Sequence, residues 1–204
     1  MNGLSKYYIF KIVNSFAEEL TATEAAQKLD INRNTVNKYY RFIREAIASY
    51  QQLQFDYFVA STMPSRPPLF LMGWHTNLGF LSDLSNAHAT YAVYADHEKV
   101  HIVKLPSDVK QLNNLPGIAD IKPEILINGK KASFENARKF VSYARENLMR
   151  FYGVKIEYSE LYLKELAFRY NYKDKDISKL IQRILPHHSD IFNKSIRRQA
   201  HLIS

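Results

Sequence analysis

TATEAAQKLDINRNTVNKYYRFIR, residues 21–44, reads as two helices joined by a tight break, a helix-turn-helix. Thr21 is a suitable N-cap, and Glu24 stands three residues later, the spacing of a capping box. Ala25, Ala26 and Leu29 give a short helix with small residues where a second helix must approach closely. Asp30, Ile31 and Asn32 form the break. The turn position of such motifs is most often Gly. Asp30 is a mild departure, because Asp tolerates a left-handed backbone better than most residues. Asn32 or Asn34 caps the next helix. That helix, Asn32 to about Ala48, buries Val36, Tyr40, Ile43 and Ile47, spaced i, i+4, i+7, i+11 on one face. Its other face carries Arg33, Asn34, Thr35, Asn37 and Lys38, with Arg41 and Arg44 further along. These types hydrogen-bond to base edges and phosphates. With the helix N-terminus in a major groove, Arg33, Asn34 and Asn37 are the expected base readers, Arg suiting guanine and Asn adenine. Lys38, Arg41 and Thr35 are expected on phosphates. The competing reading is a plain three-helix bundle with a polar outer face.

The 204 residues suffice for one large domain or a small one plus a medium one, and 46% hydrophobic residues can bury a core. Cysteine is absent, which excludes disulfides and cysteine-based zinc sites and fits a reducing compartment. Tyr7 to Phe16 is apolar-rich but interrupted by Lys11 and Asn14, too short and too polar for a membrane span or a signal peptide. The formal net charge of +8 is unevenly spread. Residues 1–50 hold seven basic and five acidic side chains, 51–128 five and seven, and 129–204 sixteen and eight. A basic C-terminal part attracts phosphate backbones in a salt-dependent way. A Lys-rich solvated helical face has the same composition.

A first helix is predicted from Lys6 to Leu20, with Ser5 as cap and Ile9, Ile12, Val13 and Phe16 on one face. Together with the two helices above it forms a head ending near Tyr50. Phe55 to Ala60 reads as a strand, and Met63 to Pro68, with three prolines, as a loop. Periodicity does not decide Leu69 to Leu84. Thr90–Tyr94 and Val100–Lys104 form a predicted hairpin about a polar turn. Ser107 to Leu115 reads as a short helix. Glu124 to Ile127 reads as a strand closed by Asn128-Gly129. From Ser133, Phe134, Ala137, Val141, Ala144, Leu148 and Phe151 recur at helical spacing, with Gly153 as a stop. Ser159 to Tyr170 is a second helix carrying Tyr162, Leu163, Leu166 and Tyr170. Asp174 or Asp176 caps a third with Ile177, Leu180, Ile181 and Ile184, ended by Pro186. The basic tail His187–Ser204 reads as a last helix.

Two blocks together resemble a known family. The first is Leu4 to Gln51. The second is Phe140 to Asn171, FVSYARENLMRFYGVKIEYSELYLKELAFRYN. Both are similar to small bacterial insertion-sequence transposases of the DDE type, the ISXO-two-like family. The second block matches that family in Phe140-Val141-Ser142-Tyr143-Ala144-Arg145, Gly153, Leu161-Tyr162-Leu163-Lys164-Glu165 and Phe168-Arg169-Tyr170-Asn171. The hairpin Tyr91–Lys104 fits the second and third strands of the family's ribonuclease-H-like core. The resemblance implies DNA cleavage and strand transfer through three carboxylates holding two divalent ions, Mg²⁺ being suited to hard oxygen ligands. The chain departs from the pattern at all three places. The first acid falls near Thr62, and no Asp-Glu pair exists anywhere in the chain. The second falls at Asn128-Gly129 and the third at Arg138. Much of the stretch between the second and third is missing. Asp56, Asp120, Glu124 and Glu135 are the candidates from which a shifted triad could be drawn, with Asp56 on the predicted first strand. The plainer reading makes Asp56 an ordinary strand-end or turn residue.

Seven histidines (His75, His88, His97, His101, His187, His188 and His201) show no metal-ligand spacing. No nucleophile elbow, Walker A loop or dinucleotide fingerprint occurs. Tyr39, Tyr40, Tyr152, Tyr158, Tyr162, Tyr170 and Tyr172 interleave with Lys and Arg, as base-stacking surfaces do. Filling helix interfaces is their commoner use.

These observations lead to an α/β chain with a helix-turn-helix head over residues 1–50 and a degenerate, shortened ribonuclease-H-like core with C-terminal helices over 51–204. The expected function is transposase-like binding of double-stranded DNA without cutting, with no catalytic residue, no metal ligand and no cofactor. The alternatives are an active metal-dependent transposase using Mg²⁺ with displaced acids, and an inactive remnant or interaction module. The expected location is cytoplasmic, with no membrane partner, and a homo-oligomer stays open.

Overall fold

The computed structural model describes residues 4–62, 70–75, 79–81, 89–96, 98–105, 131–148 and 154–188. In chain order the elements are α1 (Lys6–Ala17), α2 (Ala22–Leu29), α3 (Arg33–Thr62), β1 (Phe70–His75), β2 (Gly79–Leu81), β3 (Ala89–Ala95), β4 (Val100–Lys104), α4 (Lys131–Leu148), α5 (Ser159–Asn171) and α6 (Ile177–His188). A 3₁₀ turn at Ile156–Tyr158 precedes α5. The chain is therefore mixed α/β. It forms two compact units, Met1–Tyr50 with Tyr172–Ser204, and Gln51–Asn171. The division between the units at Tyr50 and Gln51 falls within α3, which runs unbroken from Arg33 to Thr62. The stretch from Tyr172, assigned by its sequence to residues 51–204, groups with the first unit instead.

In the first unit, α1 buries Ile9, Ile12, Val13 and Phe16, as its periodicity requires. It ends at Ala17, earlier than the predicted Leu20, because Glu19 turns left-handed at φ 60°. The Leu20 N–H then returns to the Ser15 carbonyl at 3.0 Å. Ser5 supplies an extended N-cap backbone but no side-chain cap bond. α6 packs on α1 through this unit, burying Ile181, Ile184 and Leu185. Asp176 caps α6, its carboxylate accepting from the Lys179 N–H at 3.0 Å. The predicted stop at Pro186 is corrected: Pro186 lies inside α6, which runs on to His188.

The predicted strand over Phe55–Ala60 is also corrected, because these residues continue α3. No Gly or Pro interrupts Arg33–Thr62, and the next breaker is Pro64. Phe55 and Phe58, three apart on the helix, pack with Ala92, Tyr94 and Leu105 of the second unit. The sheet of that unit is antiparallel, ordered β2-β1-β3-β4. The predicted hairpin is present as β3–β4, with Ala92 opposite Val103 and Val93 opposite Ile102. Its turn is tied by the Asp96 carboxylate, which accepts from the Glu98 and Lys99 N–H groups, each at 2.7 Å.

Side chains alternate across the sheet. Tyr91, Val93, Ala95, Val100 and Ile102 join Ala137, Phe140, Ala144 and Leu148 of α4 and Leu163, Leu166 and Ala167 of α5 in the main core. Ala92 and Tyr94 face the Phe55–Phe58 side. Both faces are covered, so residues 91–95 are all buried. Phe140 sits fully in the core, whereas Val141, predicted there, is half-buried. The readings over Met63–Pro68, Ser107–Leu115, Glu124–Ile127, Asn128-Gly129, Gly153 and the tail beyond His188 lie outside the described residues. Among the described residues no helix is long and apolar enough to cross a membrane.

Candidate nucleic-acid interface

The site begins with the orientation of α2. The Thr21 hydroxyl accepts from the Glu24 N–H at 3.2 Å, and the Glu24 carboxylate accepts from the Thr21 N–H at 2.7 Å. This reciprocal box satisfies two donors that the helix start would leave unpaired. Hydrogen bonding to Thr21, from its side chain and then its backbone, holds the Glu24 carboxyl below its ordinary range. α2 stops because Asp30 adopts φ 51°, ψ 50°. The Ile31 N–H then closes on the Ala26 carbonyl at 3.1 Å and the Asp30 N–H on Gln27 at 3.4 Å, the two bonds of a Schellman end. Two residues later Asn32 opens α3. Its carboxamide oxygen accepts from the Asn34 N–H at 2.7 Å, and its carbonyl from Val36 at 3.2 Å. Asn32 is thus the cap, and Asn34 a residue of the first turn.

One face of α3 is sealed. Val36, Tyr40, Ile43 and Ile47 are all buried. The Tyr40 ring meets Phe16 edge-on at 5.0 Å, and its hydroxyl donates to the Leu20 carbonyl at 3.0 Å. Arg44 belongs with this packing and not with the outer face, since its guanidinium lies 5.3 Å from the Phe16 ring centre.

The opposite face divides into two groups. Arg33, Asn34 and Asn37 are exposed. Among the described residues nothing bonds to their side chains, and Asn34 uses only its backbone N–H. The other three expected residues are partly engaged. The Arg41 Nε pairs with Glu45 Oε1 at 2.8 Å. The Lys38 ammonium lies 5.8 Å from the Phe42 ring. Thr35 is half-buried, with its N–H on the Asn32 carbonyl. Chemically, the arrangement offers an end-on set of two amides and a guanidinium, flanked by cations.

The carboxylates do not form a comparable group. Asp56, expected on a strand, is exposed on α3 and accepts from Gln52 Nε2 at 2.9 Å. Arg138, where the resemblance puts a third acid, is exposed and paired with Glu135 at 3.0 Å. A guanidinium there repels a divalent cation, so the residues in these two places do not fit a metal pair. Asp120 and Glu124 lie outside the described residues. Among the described residues no three His, Asp or Glu side chains are grouped to hold a metal.

The second block has an internal use that its spacing did not reveal. Lys164, Glu165 and Arg169 are buried. Arg169 Nε donates to Glu165 Oε1 at 2.9 Å, and Lys164 pairs with Glu160 at 2.9 Å. The Tyr170 hydroxyl donates to Asn136 Oδ1 at 2.9 Å, and Asn136 Nδ2 donates to the Asp96 carbonyl at 3.0 Å. Asn171 grips β4: its oxygen accepts from the Val100 N–H at 2.9 Å and its amide donates to the Val100 carbonyl at 2.8 Å. His101, read as a surface histidine, is corrected to a buried one, 3% exposed, stacked on Phe58 at 4.8 Å. Burial pushes its pKa down to about 4, and its Nδ1 has no hydrogen-bond partner among the described residues. Comparison of the chain with known protein families, with curated proteins and with solved structures finds no match.

Proposed function

We propose that this protein binds double-stranded DNA through the N-terminal end of α3, as a transposase-like protein that does not cut it. One observation carries the reading. Arg33, Asn34 and Asn37 stand exposed, with side chains engaged by nothing among the described residues, at the start of a helix whose other face is sealed. The left-handed Asp30 and the Asn32 cap fix the angle at which that end leaves α2, as in a helix-turn-helix. Arg33 reads guanine, and Asn34 and Asn37 read adenine, in the major groove. Lys38, Arg41 and Thr35 neutralise or bond phosphates. The family resemblance supports the transposase-like part of the proposal. The shortened ribonuclease-H-like core belongs to the same proposal, supported by the β3–β4 hairpin. The departures at Thr62, Asn128-Gly129 and Arg138 support the absence of cutting. A cytoplasmic location follows from the DNA target.

The test is selection from a random duplex library with the full chain, followed by binding of variants to the selected site and to random duplex. Arg33→Ala is expected to cost about 1–3 kcal/mol on the selected site and to relax one base position, whereas Lys38→Ala weakens binding to all duplexes alike. A folded double variant, Arg33→Ala with Asn37→Ala, that bound both duplexes as the parent does would overturn the assignment. Incubating the selected duplex with Mg²⁺ or Mn²⁺ addresses cutting. Nicking that disappears in Asp56→Ala would establish the enzyme reading instead.

A further inference from the structure

The basic residues are not shared evenly between the two units. Met1–Tyr50 carries seven Lys and Arg against five Asp and Glu, and Tyr172–Ser204 carries seven against three. Gln51–Asn171 carries fourteen against twelve. The excess that looks C-terminal along the sequence therefore falls mainly in the unit that holds α2 and the start of α3.

The return of the chain to that unit is built from specific contacts. The Tyr50 and Tyr172 hydroxyls share a hydrogen bond of 3.0 Å. The Ser178 hydroxyl bonds Asn14 Oδ1, and Ile181, Ile184 and Leu185 bury the inner side of α6. Outside, exposed cations outnumber the exposed acids Asp174 and Asp176. Lys173, Lys175, Lys179 and Arg183 are exposed. Lys179 is matched to Asp176 at 3.3 Å. Among the described residues the side chains of Lys173, Lys175 and Arg183 have no ion-pair partner.

We infer that the turn before α6 and α6 itself form a second DNA-contacting element, binding phosphates without regard to sequence. The inference rests on the proposed DNA reading of α3. A compact unit of this length has a radius of gyration of about 12 Å. Its surface cations thus lie within about one duplex turn, 34 Å, of the helix end that reads bases. Cations at that range neutralise phosphates flanking the read site and release counterions. They add affinity and salt dependence and no base preference. The shared chemistry is a phosphate backbone, and the committed source is duplex DNA.

The test measures binding of the full chain to the selected duplex and to a random duplex over a series of salt concentrations. A triple variant, Lys173→Gln with Lys175→Gln and Arg183→Gln, is compared with Lys104→Gln, Lys139→Gln and Lys155→Gln, three exposed cations of the other unit. The first triple is expected to flatten the slope of log K against log salt by about two to three, with the ratio of selected to random binding unchanged. The second triple is expected to leave the slope as in the parent. An unchanged slope in the first triple, or an equal fall in both, overturns the inference while leaving the α3 reading intact. A parent that binds no duplex overturns the α3 reading and this inference together. All six positions are exposed, and circular dichroism of each variant verifies that the fold is kept.

Discussion

The start of α3 and the whole of α5 are both helices rich in cations and amides, yet they use them in opposite ways. At Arg33, Asn34 and Asn37 the polar groups face solvent with no partner among the described residues. In α5, Lys164, Glu165 and Arg169 are each at most 8% exposed and end on partners inside the protein. Composition alone does not separate solvent-facing polar groups from an internal ion network. Burial does, because a buried charge is costly unless paired, whereas an exposed one is free to meet a ligand.

The contrast makes its largest demand on α5. Glu165→Ala leaves the Arg169 guanidinium buried without its carboxylate, and is expected to lower unfolding free energy by about 3–5 kcal/mol, read by chemical denaturation. A variant that lost under 1 kcal/mol would mean the pair is solvated and the contrast false. The next effect concerns His101. Its folded pKa is lowered, so between about 6.5 and 4 the unfolded state binds a proton that the folded state refuses. Stability is then expected to fall as pH drops through that window, by on the order of 3 kcal/mol in total. His101→Phe should remove this part of the pH dependence in denaturation profiles, and an unchanged profile would show that His101 does not carry it.

At the start of α3 the expectation reverses. Arg33→Ala and Asn37→Ala should change stability by less than about 0.5 kcal/mol while altering DNA binding as stated above. A clear drop in melting temperature in either would mean that these side chains are structural after all. The last expectation concerns the turn. Asp30 holds a left-handed backbone that glycine adopts without steric cost. Asp30→Gly is expected to leave stability unchanged or raise it by up to about 1 kcal/mol. A loss would point to a role for the Asp30 carboxylate beyond the turn.

The parts legible in the sequence were those written in local chemistry. Thr21 with Glu24, Asp30 and the Val36–Ile47 stripe act within a turn or two of themselves, and the structure has each as read, while of the two cap candidates Asn32 and Asn34 it has Asn32. The β3–β4 hairpin followed from alternation about a polar turn. Phe55–Ala60 misled because aromatic and β-branched residues suit a strand equally. What decides for helix is the absence of a breaker and the burial of Phe58 against Tyr94 and Leu105, a long-range fact. The pairs Glu160–Lys164 and Glu165–Arg169 had visible helical spacing, but their burial depends on what covers α5. His101 gave no signal, since its stacking partners stand more than forty positions earlier in the chain. The grouping of Tyr172 onward with the first unit is likewise a property of contacts distant in sequence. The proposed base readers were accessible to sequence reasoning because a cap and an apolar stripe together say which way the remaining side chains point.

The grip of Asn171 on Val100 bears on what the edge of the sheet can accept. β4 is one of the two edge strands of the described sheet, and edge strands recruit further strands through unpaired backbone groups. A single side-chain amide already occupies both backbone groups of Val100, serving as a one-residue substitute for a neighbouring strand. Any chain that extends the sheet from that end must first displace a matched pair of bonds and pull the end of α5 from its seat.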